Sequence, residues 1–251
     1  MAEPAYEVTA IRYGSLRAPK SELFHRFEAY GEPDAEIEMA YFFWLLRGGG
    51  RTVLVDTGFD PAVAARRGRS CEVEPLRALA ELGVAPESVD TVIITHFHYD
   101  HIGNLGAFSA AEWIVPRAEL DAWTGLAGAH VEPAEVELIV AAVADGRART
   151  TAGEEEALPG VRTIEVGGHS PGQLLVVAST GSGSAVLTSD AVHFYEELEL
   201  DRPFAVVDDL AAMRHGYERV RELAREPGAA VIAGHDPLVA ERFPGGRYGP
   251  G

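Results

Sequence analysis

Cysteine is nearly absent. Cys71 is the only one in 251 residues, so no intrachain disulfide forms and a cysteine-built zinc module is excluded. A reducing cytoplasm is the simplest setting this implies. Lysine is as scarce: Lys20 stands alone, and the arginines are scattered apart from short clusters such as Arg66-Arg67. With 21 basic against 39 acidic side chains, the net charge is −18. That balance repels polyphosphate and lacks the basic stripe that nucleic-acid binding needs, so no nucleic-acid partner is expected. Long apolar runs are missing too. The longest, Met39 to Leu46, has eight residues, against about 20 for a bilayer span, so no membrane partner is expected. The first residues show no basic stretch leading into an apolar one, which excludes a visible secretory signal. No repeat of solenoid or propeller length is present.

What is present fits a globular chain: 47% hydrophobic and 24% charged residues suffice to bury a core, and the length suits a single domain over residues 1–251. The chain alternates strand-like and helix-like segments throughout. Glu7 to Arg12, Ala40 to Leu46, Thr52 to Val55 and Thr91 to Ile94 read as strands in the first half. Val161 to Val166, Leu174 to Ala178, Ala185 to Thr188 and Ala229 to Ala233 do so in the second. Helices are expected over Glu74 to Leu82, Pro133 to Ala144 and Asp208 to Ala224, the last with Leu210, Met213, Tyr217, Val220 and Ala224 on one face. A turn rich in Arg and Gly follows Asp56-Thr57-Gly58, and the Gly- and Pro-rich stretch from Pro244 to Gly251 predicts a frayed tail. The pattern predicts one α/β domain with two sheets and helices outside.

One segment carries the chemistry. In Thr95-His96-Phe97-His98-Tyr99-Asp100-His101, three histidines and an aspartate directly follow a buried strand. Imidazole nitrogen and carboxylate oxygen suit zinc and related first-row metals. His96 and His98 can converge on one ion while Asp100 and His101 turn toward a second. Burying all four without a cation would leave polar groups unpaired at about 1–3 kcal/mol each. Further candidates stand at later strand ends: His169 in Gly167-Gly168-His169-Ser170-Pro171-Gly172, Asp190 in Thr188-Ser189-Asp190, and His235 in Gly234-His235-Asp236. His25, His130 and His215 stand alone and receive no role.

The set His96, His98, Asp100, His101, His169, Asp190 and His235, with the early Asp56-Thr57-Gly58, resembles the metallo-β-lactamase superfamily. The resemblance implies an αβ/βα sandwich of two mixed β-sheets flanked by helices. It implies that His96, His98 and His169 hold one metal and Asp100, His101 and His235 the other, with Asp190 bridging and Asp56 orienting a ligand. The cofactors expected are two Zn2+, with Fe, Mn or Co as other divalent choices. Two such ions can share a water of lowered pKa, so that a bridging hydroxide attacks a carbonyl, with Asp100 and Asp190 in the catalytic set. The acidic charge fits poorly with a nuclease branch, and His98 stands where flavodiiron proteins have glutamate.

The chain is most similar to the N-acyl homoserine lactonase (quorum-quenching) family, which opens a five-membered lactone. Better-known members place a tyrosine three residues after the bridging aspartate. This chain has His193 there and Tyr195 two further on, so both are candidates for substrate contact, with His193 also a hydrogen-bond donor or proton shuttle. The expected partner is a small lactone or ester, with a pyridoxolactone-type ring or a thioester as alternatives. The oligomeric state is left open, a homodimer included. A mononuclear iron enzyme like the persulfide dioxygenases is the competing reading from another class, and a non-catalytic metal-binding module a third. Tyr41, Phe42, Phe43 and Trp44, and likewise Phe97 and Tyr99, are candidates for either a substrate pocket or the core.

Overall fold

The computed structural model describes residues 4–126 and 128–248. The larger of its two sheets contains β1 (Tyr6–Pro19), β2 (Glu36–Gly48), β3 (Arg51–Val55), β4 (Ser70–Cys71), β5 (Thr91–Ile93), β6 (Glu112–Pro116) and β7 (Ala148–Thr151). The smaller sheet contains β8 (Glu154–Leu158), β9 (Val161–Glu165), β10 (Leu174–Thr180), β11 (Gly183–Ser189) and β12 (Ala229–Ala233), after which β13 (Arg247–Tyr248) returns to pair with β1. Both sheets are mixed: β3, β5, β6 and β7 run parallel beside antiparallel β1 and β2, and β12 joins β11 in parallel.

Alternation along β2 shows how the layers form. Phe42, Trp44 and Leu46 face the smaller sheet, where they pack with Val53, Val55, Val176, Leu187 and Ile232. Tyr41, Phe43 and Leu45 point to the other side, into a core shared with Phe59, Leu79, Val136 and Ile139 beneath the helices. Period-two geometry thus makes one strand serve two cores, which is why its sequence reads as an unbroken apolar run. The outer face of the smaller sheet, with Leu175, Val177 and Val186, is covered by Met213, Tyr217, Val220 and Leu223 of the helix Leu210–Leu223. The result is the expected αβ/βα sandwich.

Several elements differ from the sequence reading. The first two strands run well beyond their apolar centres, because antiparallel pairing continues from Tyr6 opposite Gly48 to Pro19 opposite Glu36. The helix Pro61–Arg67 precedes the Arg- and Gly-rich turn: Asp60 caps it by accepting hydrogen bonds from the backbone N–H of Ala62 and Val63. The later helix starts at Leu210 rather than Asp208, capped by Asp209, which accepts from the backbone N–H of Ala211 and Ala212. The predicted fraying is corrected up to Tyr248, since Val8 and Thr9 of β1 pair with Tyr248 and Arg247; residues 249–251 lie outside the described residues. Among the described residues, no helix is long and apolar enough to cross a membrane.

The helix Pro133–Ala144 carries a titratable liability. Glu135 sits in its first turn with one buried carboxylate oxygen that has no hydrogen-bond partner. Burial, then the nearby charges of Asp60 and Glu132, push its pKa up to about 7. The folded chain therefore holds a proton that the unfolded chain, with an ordinary value of 4.5, releases. Stability falls as pH rises through this window and is least affected below about 4.5. Glu135→Gln should raise stability by about 1–2 kcal/mol at pH 8, after allowing for solvent screening, and leave it nearly unchanged at pH 4. Urea unfolding at the two pH values checks this; an equal effect at both would reject it.

Candidate metal centre

Each predicted ligand follows the carboxyl end of a strand. Asp56 follows β3, the His96 to His101 segment follows β5, His169 follows β9, Asp190 follows β11 and His235 follows β12. The first two come from the larger sheet and the last three from the smaller, and all converge at one end of the seam between the sheets. Two glycines make the approach feasible. Gly168 has φ +94, and a Cβ there would lie 2.4 Å from the Met213 backbone. A Cβ on Gly234 would lie 2.4 Å from the Ser189 carbonyl oxygen, so only glycine lets the turns bearing Asp190 and His235 touch.

The cluster divides into two groups, His96, His98, His169 and Asp190, and Asp100, His101, His235 and Asp190, each with its ligand atoms within 4.8 Å of one another. Asp190 belongs to both. Its Oδ1 lies 2.9 Å from His235 Nε2 and 3.1 Å from His101 Nε2, while its Oδ2 lies 3.2 Å from His169 Nε2 and 3.7 Å from His96 Nε2. One carboxylate thus turns one oxygen to each group. All seven side chains are buried.

Surrounding groups fix how the imidazoles point. His101 Nδ1 donates to Asp56 Oδ2 at 2.7 Å, His169 Nδ1 to the Val206 carbonyl at 3.0 Å, and His235 Nδ1 to the Ala40 carbonyl at 2.8 Å. Each bond leaves the Nε2 lone pair facing the cluster, as a metal-binding histidine requires. Asp56 is itself held by the backbone N–H and hydroxyl of Thr95, both at 2.8 Å. Glu119, on the helix Arg117–Trp123, ties two ligand loops together by accepting the Phe97 N–H at 2.9 Å and the Gly172 N–H at 2.7 Å.

Electrostatics fit a cation. Burial holds His96 and His169 well below the usual imidazole range and takes His98 down to about 3, so these three are neutral ligands at pH 7. Burial pushes Asp190 up, but His235 and His101 outweigh it and hold the carboxylate well below its usual range. Buried His96 Nε2 and His101 Nε2 have no hydrogen-bond partner. Burial lowers His101, but Asp190, Asp100 and Asp56 outweigh it and push it well above the usual imidazole range, a positive charge that a metal ion would replace. Two unpartnered ring nitrogens beside ionised carboxylates form a donor set suited to divalent ions.

Other candidates are placed differently. His193 is buried with Nε2 3.1 Å from Asp190 and Nδ1 3.4 Å from Glu197, and Phe204 stacks on its face at 3.6 Å. Phe204, not His193, borders the cavity above the cluster, so the expected substrate contact is revised: His193 backs Asp190 from behind. Tyr195 is likewise corrected. Its hydroxyl donates to the Val231 carbonyl at 3.1 Å and its ring lies in the core between the sheets under Arg242. Phe42, Phe43, Trp44 and Phe97 are core residues.

The cavity itself encloses about 320 Å3, bordered by His98, Asp100, His169 and Asp190 together with Tyr41, Tyr99, Arg69 and the apolar Leu16, Leu23, Met39, Phe204 and Val206. His130, left without a role above, borders it too, its ring centroid 5.3 Å from that of His98. Arg69, His130 and Phe204 come from separate loops with no motif spacing, and no signal in the chain marks them in advance.

Residues 39–235 match the family description "Metallo-beta-lactamase superfamily". An N-acyl homoserine lactonase of Bacillus sp is 29% identical over 219 residues, spanning 81% of this chain and 84% of that protein. N-acyl homoserine lactonase AiiB of Agrobacterium fabrum is 28% identical over 222 residues, spanning 80% of each. A solved quorum-quenching N-acyl homoserine lactone lactonase superposes with a TM-score of 0.81 at 24% identity, covering 96% of this chain and 97% of that one. AidC, a dizinc quorum-quenching lactonase solved in complex with a product, gives a TM-score of 0.74 at 18% identity, covering 98% of this chain and 91% of that one.

Proposed function

The chain belongs to the metallo-beta-lactamase superfamily, and from that premise we propose that it is a metal-dependent hydrolase that opens a small lactone of the N-acyl homoserine type. The observation that carries this reading is the division of Asp190 between two donor groups. His96, His98 and His169 would hold one ion and Asp100, His101 and His235 the other, with one Asp190 oxygen to each. Divalent ions there, zinc being the choice favoured by the donor set, would supply Lewis acidity and a water acidified toward neutral pH. A single-iron dioxygenase would leave the Asp100, His101 and His235 group without a task.

The protein's own groups supply the rest. Asp56 keeps the His101 ring in one orientation, and the Val206 and Ala40 carbonyls do the same for His169 and His235. Leu16, Leu23, Met39, Phe204 and Val206 give the cavity an apolar side suited to an acyl chain, with space for a small ring beside Asp100 and Asp190. The net charge of −18 disfavours polyanionic substrates.

A substrate panel tests the reading. Metal-loaded protein should open N-acyl homoserine lactones, releasing one acid per ring, faster than it cleaves a pyridoxolactone-type ring, a thioester or a β-lactam. Chelation should abolish the rate, and Zn2+ or Co2+ restore it. Full activity after demetallation, or one iron per chain with oxygen consumption, would overturn it.

A further inference from the structure

Three side chains bordering the cavity form a short hydrogen-bonded chain. Arg69 Nε donates to the Tyr99 hydroxyl oxygen at 3.1 Å, and the Tyr99 and Tyr41 hydroxyl oxygens are 3.2 Å apart. Arg67 lies over the Tyr99 ring at 4.1 Å and fixes its plane. Both phenols are buried, Tyr41 with its ring edge-on to His235 at 5.2 Å and Tyr99 next in sequence to Asp100.

Counting hydrogens shows what this chain leaves over. It holds three: Arg69 Nε–H and one on each phenol. The arginine hydrogen goes to Tyr99, and one phenolic hydrogen makes the bond between the tyrosines. The other phenolic hydrogen has no acceptor among the described residues. If Tyr99 donates to Tyr41, the spare hydrogen is on Tyr41; if Tyr41 donates, it is on Tyr99.

We infer that Tyr41 and Tyr99, braced by Arg69, form a shared hydrogen-bond donor to a substrate oxygen that gains negative charge during hydrolysis. The inference rests on the hydrolase reading above. The phenolic proton stays on its oxygen throughout; the pair stabilises charge and transfers nothing. Because either ring can present the spare hydrogen, the two tyrosines substitute for one another. Tyr41→Phe leaves Tyr99 accepting from Arg69 with its own proton free, and Tyr99→Phe frees the proton of Tyr41.

The test is therefore the double variant. On the lactone that the metal-loaded wild type opens fastest, each single variant should lose less than about tenfold in kcat/KM. Tyr41→Phe/Tyr99→Phe should lose on the order of 100- to 1,000-fold, well beyond the product of the singles, with the fall in kcat. Metal content by elemental analysis should stay at the wild-type value. A calorimetric titration with an alkyl phosphonate, whose tetrahedral oxygens imitate the charged state, should weaken more than tenfold in the double variant alone. A double-variant loss equal to the product of the singles, or one that follows lost metal, overturns the inference. A wild type that opens no lactone overturns the activity reading instead, and the phosphonate titration then decides the donor pair by itself.

Discussion

Replacing Asp190 with alanine is expected to lower turnover of the preferred lactone by more than about a thousandfold, the largest effect of any single change. The reason lies in how its two oxygens are used. Oδ1 serves the His101 and His235 side, Oδ2 the His169 and His96 side. No neighbouring carboxylate reaches both, because Asp100 faces only His101 and His235. The substitution also leaves the imidazoles of His96, His101, His169 and His235 without the anion that faces all four. Asp190→Asn keeps the shape but removes the charge, and should lose nearly as much. Steady-state rates with parallel metal analysis check the prediction; a variant within tenfold of wild type would show that the two donor groups do not act through this carboxylate.

The second large effect concerns stability. Adding Zn2+ to metal-stripped protein should raise the midpoint of thermal unfolding by roughly 10–20 °C when free metal exceeds each dissociation constant about a hundredfold. An ion that binds only the folded chain stabilises it by mass action, here at two positions. The gain is large because the empty arrangement is poor: His96 Nε2 and His101 Nε2 are buried without hydrogen-bond partners, and Asp100 and Asp190 are buried in the same space. Calorimetry with and without metal measures the shift. It should shrink by more than half in Asp190→Ala, and a shift below about 3 °C in the unaltered chain would contradict the assignment.

Much of this centre was legible before any coordinates. The His96 to His101 segment announces itself because four ligand-type residues lie within six positions after a buried strand, and local spacing survives folding. His169, Asp190 and His235 were legible for a different reason: each stands just past an apolar strand-like run, where side chains tend to project from a rigid frame. The alternating strand and helix patterns pointed to one α/β domain with two sheets and helices outside, and the family resemblance implied the sandwich. What stayed hidden was set by partners distant along the chain. β8 reads Glu154-Glu155-Glu156-Ala157-Leu158 and offers no apolar alternation; it forms because β9 lies beside it. The family resemblance made His193 a candidate substrate contact, because it stands where better-known lactonases have a tyrosine, yet Phe204 from a later loop lies over its ring. Arg69 meets Tyr99 only because the turn after Pro61–Arg67 folds back toward the β5 loop, and spacing cannot reveal that.

The ligands arrive from both sheets and meet at their seam. Chemistry and cohesion therefore share one location. Any change that lets the sheets slide past each other alters the spacing of the donor groups, even when it lies deep among Trp44, Val176 and Leu187 and touches no ligand. Selection for a different ring or acyl chain is then freest in side chains that border the cavity without holding a ligand, such as Leu16 at the far end of β1 and Leu23 in the helical turn after it, which can change without loosening the mechanical joint below.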